Sequence, residues 1–158
     1  MAFELSNYSP MPSTHTALYY HLVFSTKDRE PWFEAPFLPE LHAYLGGIIR
    51  NMEGIALAVG GISDHVHLAV GLKANHTLSD VMRELKADSS KWLKSVLGRT
   101  AFAWQEGYGA FTVGAPSIEK LREYVLNQEK RHETKTFQIE YLEMLRQGLV
   151  EFDDRYLW

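Results

Sequence analysis

The sequence predicts an α+β domain of the ferredoxin-like, split βαβ kind, β-α-β-β-α-β, followed by additional C-terminal helices. Three observations carry this. Strand-like runs rich in β-branched and aromatic residues occur early, in the middle and past residue 100. Two stretches between them repeat apolar residues at helical spacing. The last third of the chain returns to the helical period.

Each element has its own signal. "ALYYHLVFST", residues 17–26, reads as a buried first strand. "KDREPWFEAP" is a loop punctuated by Pro31 and Pro36. "FLPELHAYLGGIIRNMEG" places Leu38, Leu41, Leu45, Ile48 and Ile49 on one helical face and ends at Gly54. "IALAVGGIS" and "HVHLAVGL" are strands joined so tightly at Ser63-Asp64 that an antiparallel hairpin is expected. "HTLSDVMRELKADSSKWLKSVLG" is the clearest helix, with Thr77 and Asp80 as an approximate capping box and Gly98 as its stop. "AFAWQEGYGAFTVG" reads as a strand, a glycine-rich turn and a short return strand. Pro116 and Ser117 open a helix, "SIEKLREYVLNQEKRH", and "TFQIEYLEMLRQGL" supplies a last one. No repeat or linker interrupts the chain, so residues 1–158 are expected to form one domain. A polar lead-in covers 1–16 and an acidic aromatic tail covers 150–158.

Composition narrows the function. The 158 residues contain no cysteine, which excludes disulfides and thiolate metal sites. No apolar run approaches the ~20 residues of a membrane span. The N-terminal stretch resembles neither a secretory signal nor a transit peptide. The expected place is the cytoplasm, without a membrane partner. A net charge of −4 argues against a general nucleic-acid coat protein, while leaving room for a local basic face.

Four groups of residues could carry chemistry. His65 and His67, in "SDHVHLAV", sit at i and i+2 of a strand and so share a face, their Cα atoms roughly 6.5 Å apart. Two imidazoles at that spacing can close on one metal ion at about 2.1 Å each; equally, they can be packed residues with no ligand. Asp64 falls on the other face of an ideal strand and is expected to serve the turn. Tyr124 and Gln128 lie one helical turn apart at the shoulder of the apolar stripe formed by Ile118, Leu121 and Val125. The amide could ligate a metal with the hydroxyl nearby, or both could decorate an amphipathic helix. Arg83, Lys86, Lys91 and Lys94, with Ser89 and Ser90, could hold phosphates or form a solvated helix face. Tyr19, Tyr20, Trp32, Trp92, Trp104, Tyr108 and Phe111 could stack unpaired bases or fill the core.

In order, "YYHLVFSTKDREPW", "GGISDHVHLAV", "LKADSSKW", "FAWQEGYGAFTV" and "REYVLNQEKRH" resemble the single-tyrosine transposases of the insertion-sequence-200-like family. These belong to the wider class of His-hydrophobe-His endonucleases. The resemblance runs from about Tyr19 to Trp158. It implies that His65 and His67 are paired metal ligands, Gln128 the third ligand and Tyr124 the catalytic nucleophile. It implies Mg2+ or Mn2+, single-stranded DNA bearing a stem-loop as substrate, a 5′-phosphotyrosine intermediate and a homodimer acting at the nucleoid. The basic helix, with Arg83, Lys86, Lys91 and Lys94, becomes a candidate DNA contact. A domesticated or non-catalytic hairpin-binding protein of the same fold would present the same residues. His21 is read as a core residue, and His132, one turn beyond Gln128, is left outside the site.

Overall fold

The computed structural model describes residues 14–157; most of the polar lead-in, and Trp158 in the tail, lie outside the described residues. Strand β1 (Leu18–Ser25) is followed by helix α1 (Leu38–Asn51), the hairpin of β2 (Ile55–Ile62) and β3 (His65–Leu72), helix α2 (Leu78–Leu97) and β4 (Gly109–Val113). Helices α3 (Ile118–Leu126), α4 (Gln128–His132) and α5 (Phe137–Gln147) complete the chain. The sheet order is β2-β3-β1-β4, with each neighbouring pair antiparallel. This is the β-α-β-β-α-β arrangement expected, with helices added at the C-terminus.

Alternation along the central strands divides the molecule into layers. Leu22, Phe24, Val66, Leu68 and Val70 face α1 and α2 and join Leu41, Leu45, Ile49, Leu85 and Leu93 in the main core. Burying each such side chain contributes about 1.5–3 kcal/mol. Between the two helices Tyr44 stacks on Trp92 with ring centroids 4.0 Å apart, and Phe37 stacks on Trp92 at 5.7 Å. Helix α2 begins as expected, with the Thr77 hydroxyl accepting from the Asp80 N–H, and ends at Gly98. The opposite face of the sheet carries Val23, Ala69 and both histidines of β3, and α3, α4 and α5 cover it.

Two devices bring α3 close to that face. Gly60 pairs with His67 across the β2–β3 ladder. A Cβ at Gly60 would lie 1.9 Å from the Val125 carbonyl oxygen, so the absent side chain is what lets the helix backbone rest on the strand. The β2–β3 register slips between Ala56 and Ala58, and Arg122 of α3 donates to the Leu57 carbonyl at 3.1 Å. The bulge carbonyl is thereby satisfied by the helix that packs over it.

Two expectations need correction. The strand, turn and return strand read over 101–114 are one interrupted edge. Trp104 bridges Thr26 and Gly109–Val113 pairs with the other end of β1, while the residues between bulge outward. The Gln105 side chain accepts from the Ser25 N–H and hydroxyl, which anchors the bulge to the strand it leaves. The helix expected over 117–132 is broken at Asn127. Its side-chain amide donates to the Glu123 carbonyl, and its backbone (φ −102°, ψ 24°) departs from the helix. Asparagine competes with the helix ladder in this way because its amide mimics a backbone donor.

Gly60→Ala is expected to destabilise the fold by about 1–3 kcal/mol through overpacking against α3. Gly47→Ala in α1, where a new Cβ meets only the tip of Arg50 at 3.9 Å, is expected to stabilise it by about 0.5–1 kcal/mol. Urea midpoints of the two variants check both signs.

Candidate active site

His65 and His67 point from β3 into the layer under α3, α4 and α5, and both are fully buried. Each ring is oriented through its Nδ1. His65 Nδ1 lies 2.7 Å from Asp64 Oδ1 and His67 Nδ1 lies 2.9 Å from His21 Nε2. Asp64 therefore serves His65, where the ideal-strand argument had it facing away. His21 is diagonal to His67 on the same sheet face and works as its partner, where the sequence had made it plain core. Burial, then the neighbouring His67, lowers the His21 pKa to about 3, which keeps this ring neutral. Burial also lowers the His67 pKa to about 4, against the opposing pull of Glu140. The Nε2 atoms of both β3 histidines are left buried without a hydrogen-bond partner.

Three helices close over those nitrogens. Phe137 of α5 stacks on His65 at 4.1 Å, and the His132 ring of α4 meets His65 edge-on at 4.6 Å. Glu140 of α5, 3% exposed, reaches the middle of the group. Its Oε2 is 3.2 Å from His132 Nε2 and 3.5 Å from His67 Nε2, and it lacks a partner of hydrogen-bonding geometry. Its Oε1 accepts the hydrogen bond of the Tyr124 hydroxyl. Burial opposes ionisation of Glu140, but the adjacent His132 and His67 rings and the Tyr124 hydroxyl outweigh it and hold the carboxyl far below the usual carboxylate range. Burial and then Glu140 push the Tyr124 hydroxyl well above its ordinary pKa. The Arg131 guanidinium lies over the Tyr124 ring, 4.2 Å from its centroid. Four groups, His65, His67, His132 and Glu140, offer ligand atoms all within 4.8 Å of one another.

The structure thus gathers His65, His67, Tyr124 and Gln128, two of the four groups that the sequence singled out. Gln128, 1% exposed, opens α4 beside the cluster. Its Nε2 donates to the Tyr124 carbonyl at 3.2 Å, and its Oε1 is 3.1 Å from His132 Nε2. The amide thus knits the break between α3 and α4, and Glu140 and His132 stand nearest the histidine nitrogens. Glu140 was missed by the sequence reading. Its signal was an acidic residue on the same helical stripe as Phe137, Tyr141 and Met144. The basic helix is not part of this gathering, because α2 lies across the sheet. Lys86 donates to the carbonyls of Gln105, Glu106 and Gly107, filling its three donor positions with the edge bulge. Ser89 is buried between the Leu85 carbonyl and the Trp104 indole N–H, so it offers nothing to a phosphate. Arg83 pairs with Asp80, while Lys91 and Lys94 are exposed.

A divalent cation fits this donor set. Three buried atoms, two imidazole nitrogens and one carboxylate oxygen, converge without hydrogen-bond partners, which is costly unless a cation satisfies them. The Asp64–His65 and His21–His67 pairs supply the orienting outer contacts that metal-bound imidazoles commonly have. Imidazole nitrogens and a carboxylate oxygen make a mixed donor set of the kind that divalent transition ions take.

Comparison with known proteins bears on the family and the fold. The family described as "Transposase IS200 like" matches residues 14–128. Among solved structures, a Deinococcus radiodurans R1 protein provisionally assigned as a transposase is 23% identical with a TM-score of 0.62. That match covers 75% of this chain and 95% of the other. A REP-associated tyrosine transposase bound to a REP hairpin is 14% identical with a TM-score of 0.52, over 68% of this chain and 64% of that one. At these identities the two structures establish the shared fold. No curated protein matches the chain. Among the described residues, no helix is long and apolar enough to cross a membrane.

Titration with Mn2+ in a calorimeter is expected to give one site per chain. His67→Ala should abolish it, and Asp64→Asn should weaken it by roughly 10–100-fold. Absence of binding to the unaltered protein would remove the metal from the account.

Proposed function

The chain belongs to the IS200-like transposase family, and from that premise we propose that it cleaves and rejoins single-stranded DNA beside a stem-loop, with Tyr124 as nucleophile. One observation carries the reading. The Tyr124 hydroxyl and the unpartnered Nε2 atoms of His65 and His67 meet in a single buried polar cluster around Glu140. The hairpin-bound fold relative supports a stem-loop substrate.

The residues divide the work as follows. His65 and His67 hold a divalent ion, with Glu140 Oε2 and His132 beside them and Gln128 bracing the helix junction. When bound, the ion supplies positive charge to the scissile phosphate and the departing oxygen. Glu140 Oε1 accepts the Tyr124 hydroxyl and so orients the phenolic oxygen; the proton the phenol gives up in the attack is matched by the one the departing 3′-oxygen takes up. The phenolic oxygen attacks phosphorus, the 3′-oxygen leaves, and a 5′-phosphotyrosine and a free 3′-hydroxyl result. Attack by a 3′-hydroxyl on the phosphotyrosine restores the diester, so the bond energy is retained without a nucleotide cofactor. Arg131, spread over the Tyr124 ring, holds the ring's aim and brings a cation beside the incoming phosphate.

Tyr124, His65, His67, His132 and Glu140 come from one chain in this arrangement, so we assign cleavage to the tyrosine and histidines of the same subunit. A homodimer, which the family resemblance implies, is then a matter of bringing two DNA ends together.

Labelled stem-loop DNA from the gene's flanks, incubated with Mn2+, is expected to give a protein–DNA adduct on a denaturing gel. The adduct should vanish in Tyr124→Phe and in EDTA. Hairpin binding without any adduct would instead favour a binding protein of the same fold. Mixing His67→Ala with Tyr124→Phe protein should not restore the adduct; restoration would show that the two residues serve each other across subunits.

A further inference from the structure

Tyr124 is also one end of a cleft of about 340 Å3 between α3 and α5, lined by none of His65, His67 or His132. Helix α3, from its N-cap, presents Ser117, Lys120, Leu121 and Tyr124 to it. Helix α5 presents Glu140, Glu143, Met144 and Gln147. Both sets follow i, i+3, i+4, i+7, so each is one continuous helix face running roughly 10 Å along its axis. The Tyr124–Glu140 contact ties the two faces at one end.

The lining is sorted by chemistry. Leu121, Met144 and Val113 supply an apolar wall and floor. The two carboxylates are already engaged, Glu140 in the metal-binding cluster and Glu143 with Lys135. Glu119, next to Lys120, is taken by Arg122. Among the described residues, Lys120 has no ion-pair partner and the Gln147 amide has no hydrogen-bond partner. His21 and Arg131 also line the cleft, and an apolar slot, an uncommitted cation and an uncommitted amide lead from the nucleophile's hydroxyl away from His65, His67 and His132.

Resting on the strand-cleaving reading above, we propose that this cleft seats the first nucleotide of the strand that becomes joined to Tyr124. That strand starts at the tyrosine oxygen, and the cleft is the concave surface that starts there too. The base lies against Leu121, Val113 and Met144, Gln147 meets its edge, and Lys120 takes the following phosphate. The cleft therefore sets a nucleotide preference on one side of the cleavage point.

The test reads binding, not cleavage. Tyr124→Phe protein in EDTA is titrated by fluorescence anisotropy with hairpin DNA in which an abasic site is walked along the single-stranded flank. One position should weaken binding by about tenfold, the scale of one lost base contact. Adding Met144→Trp, which fills the cleft, should weaken intact DNA equally and abolish the further effect of that abasic position. Adding the exposed Lys120→Ala should lower affinity for every DNA and reduce the salt slope by about one. A flat abasic profile, or a Lys120→Ala protein with unchanged affinity and salt slope, overturns the proposal. The two readings fail separately. An abasic effect without any covalent adduct from the unaltered protein keeps the cleft and removes the chemistry. An adduct with a flat profile keeps the chemistry and removes the cleft.

Discussion

A buried carboxylate organises the working half of this molecule. An ionised Glu140 beneath three helices would cost several kcal/mol if left alone. It is not alone: Tyr124 donates to one oxygen, His132 and His67 flank the other, and the Gln128 amide is 3.4 Å from the first. These partners come from α3, α4 and β3, so satisfying one charge fixes where three helices lie on the sheet. Removing any single partner withdraws part of that compensation, so the cluster holds its geometry as a unit.

The layer on the other side of the sheet makes this possible. Val66 and Leu68 bury themselves against α1 and α2 while His65 and His67, alternating with them, face α3 to α5. A one-residue slip of β3 would exchange the two sets and put imidazoles in the apolar core. Pairing along the length of β1, from Leu18 opposite Leu72 to Ser25 opposite His65, fixes the register against that slip. The notch at Gly60 then lets α3 settle close enough for Tyr124 to approach the histidines. At Gly109 a Cβ would come within 2.8 Å of the Tyr141 ring, so β4 admits α5 by the same means.

Much of this was legible in the chain. Strand alternation put His65 and His67 on one face, and Thr77, Asp80 and Gly98 marked the ends of α2. Tyr124 and Gln128 stood out as polar groups at the edge of an apolar stripe. What escaped was decided by contacts far apart in sequence. Glu140 looked like an ordinary helical glutamate, because only the packing of α5 onto His65 and His67 makes its burial tolerable. Asp64 looked turned away, because an ideal strand was assumed at the hairpin where the backbone bends. Lys86 looked like a free cation until the bulge after Trp104 brought three carbonyls to it. The break at Asn127 hid behind a helical period that continues through it, and only the Asn127 amide on Glu123 reveals the stop.

The central claim is that the Nε2 atoms of His65 and His67 and the free oxygen of Glu140 form one cation site beneath Tyr124. Anomalous scattering from crystals grown with Mn2+ tests it directly. The account predicts one strong peak, roughly 2.1–2.3 Å from both histidine nitrogens and adjoining the carboxylate. A protein whose manganese peaks fall only among surface carboxylates, with the two imidazoles unligated, would contradict it.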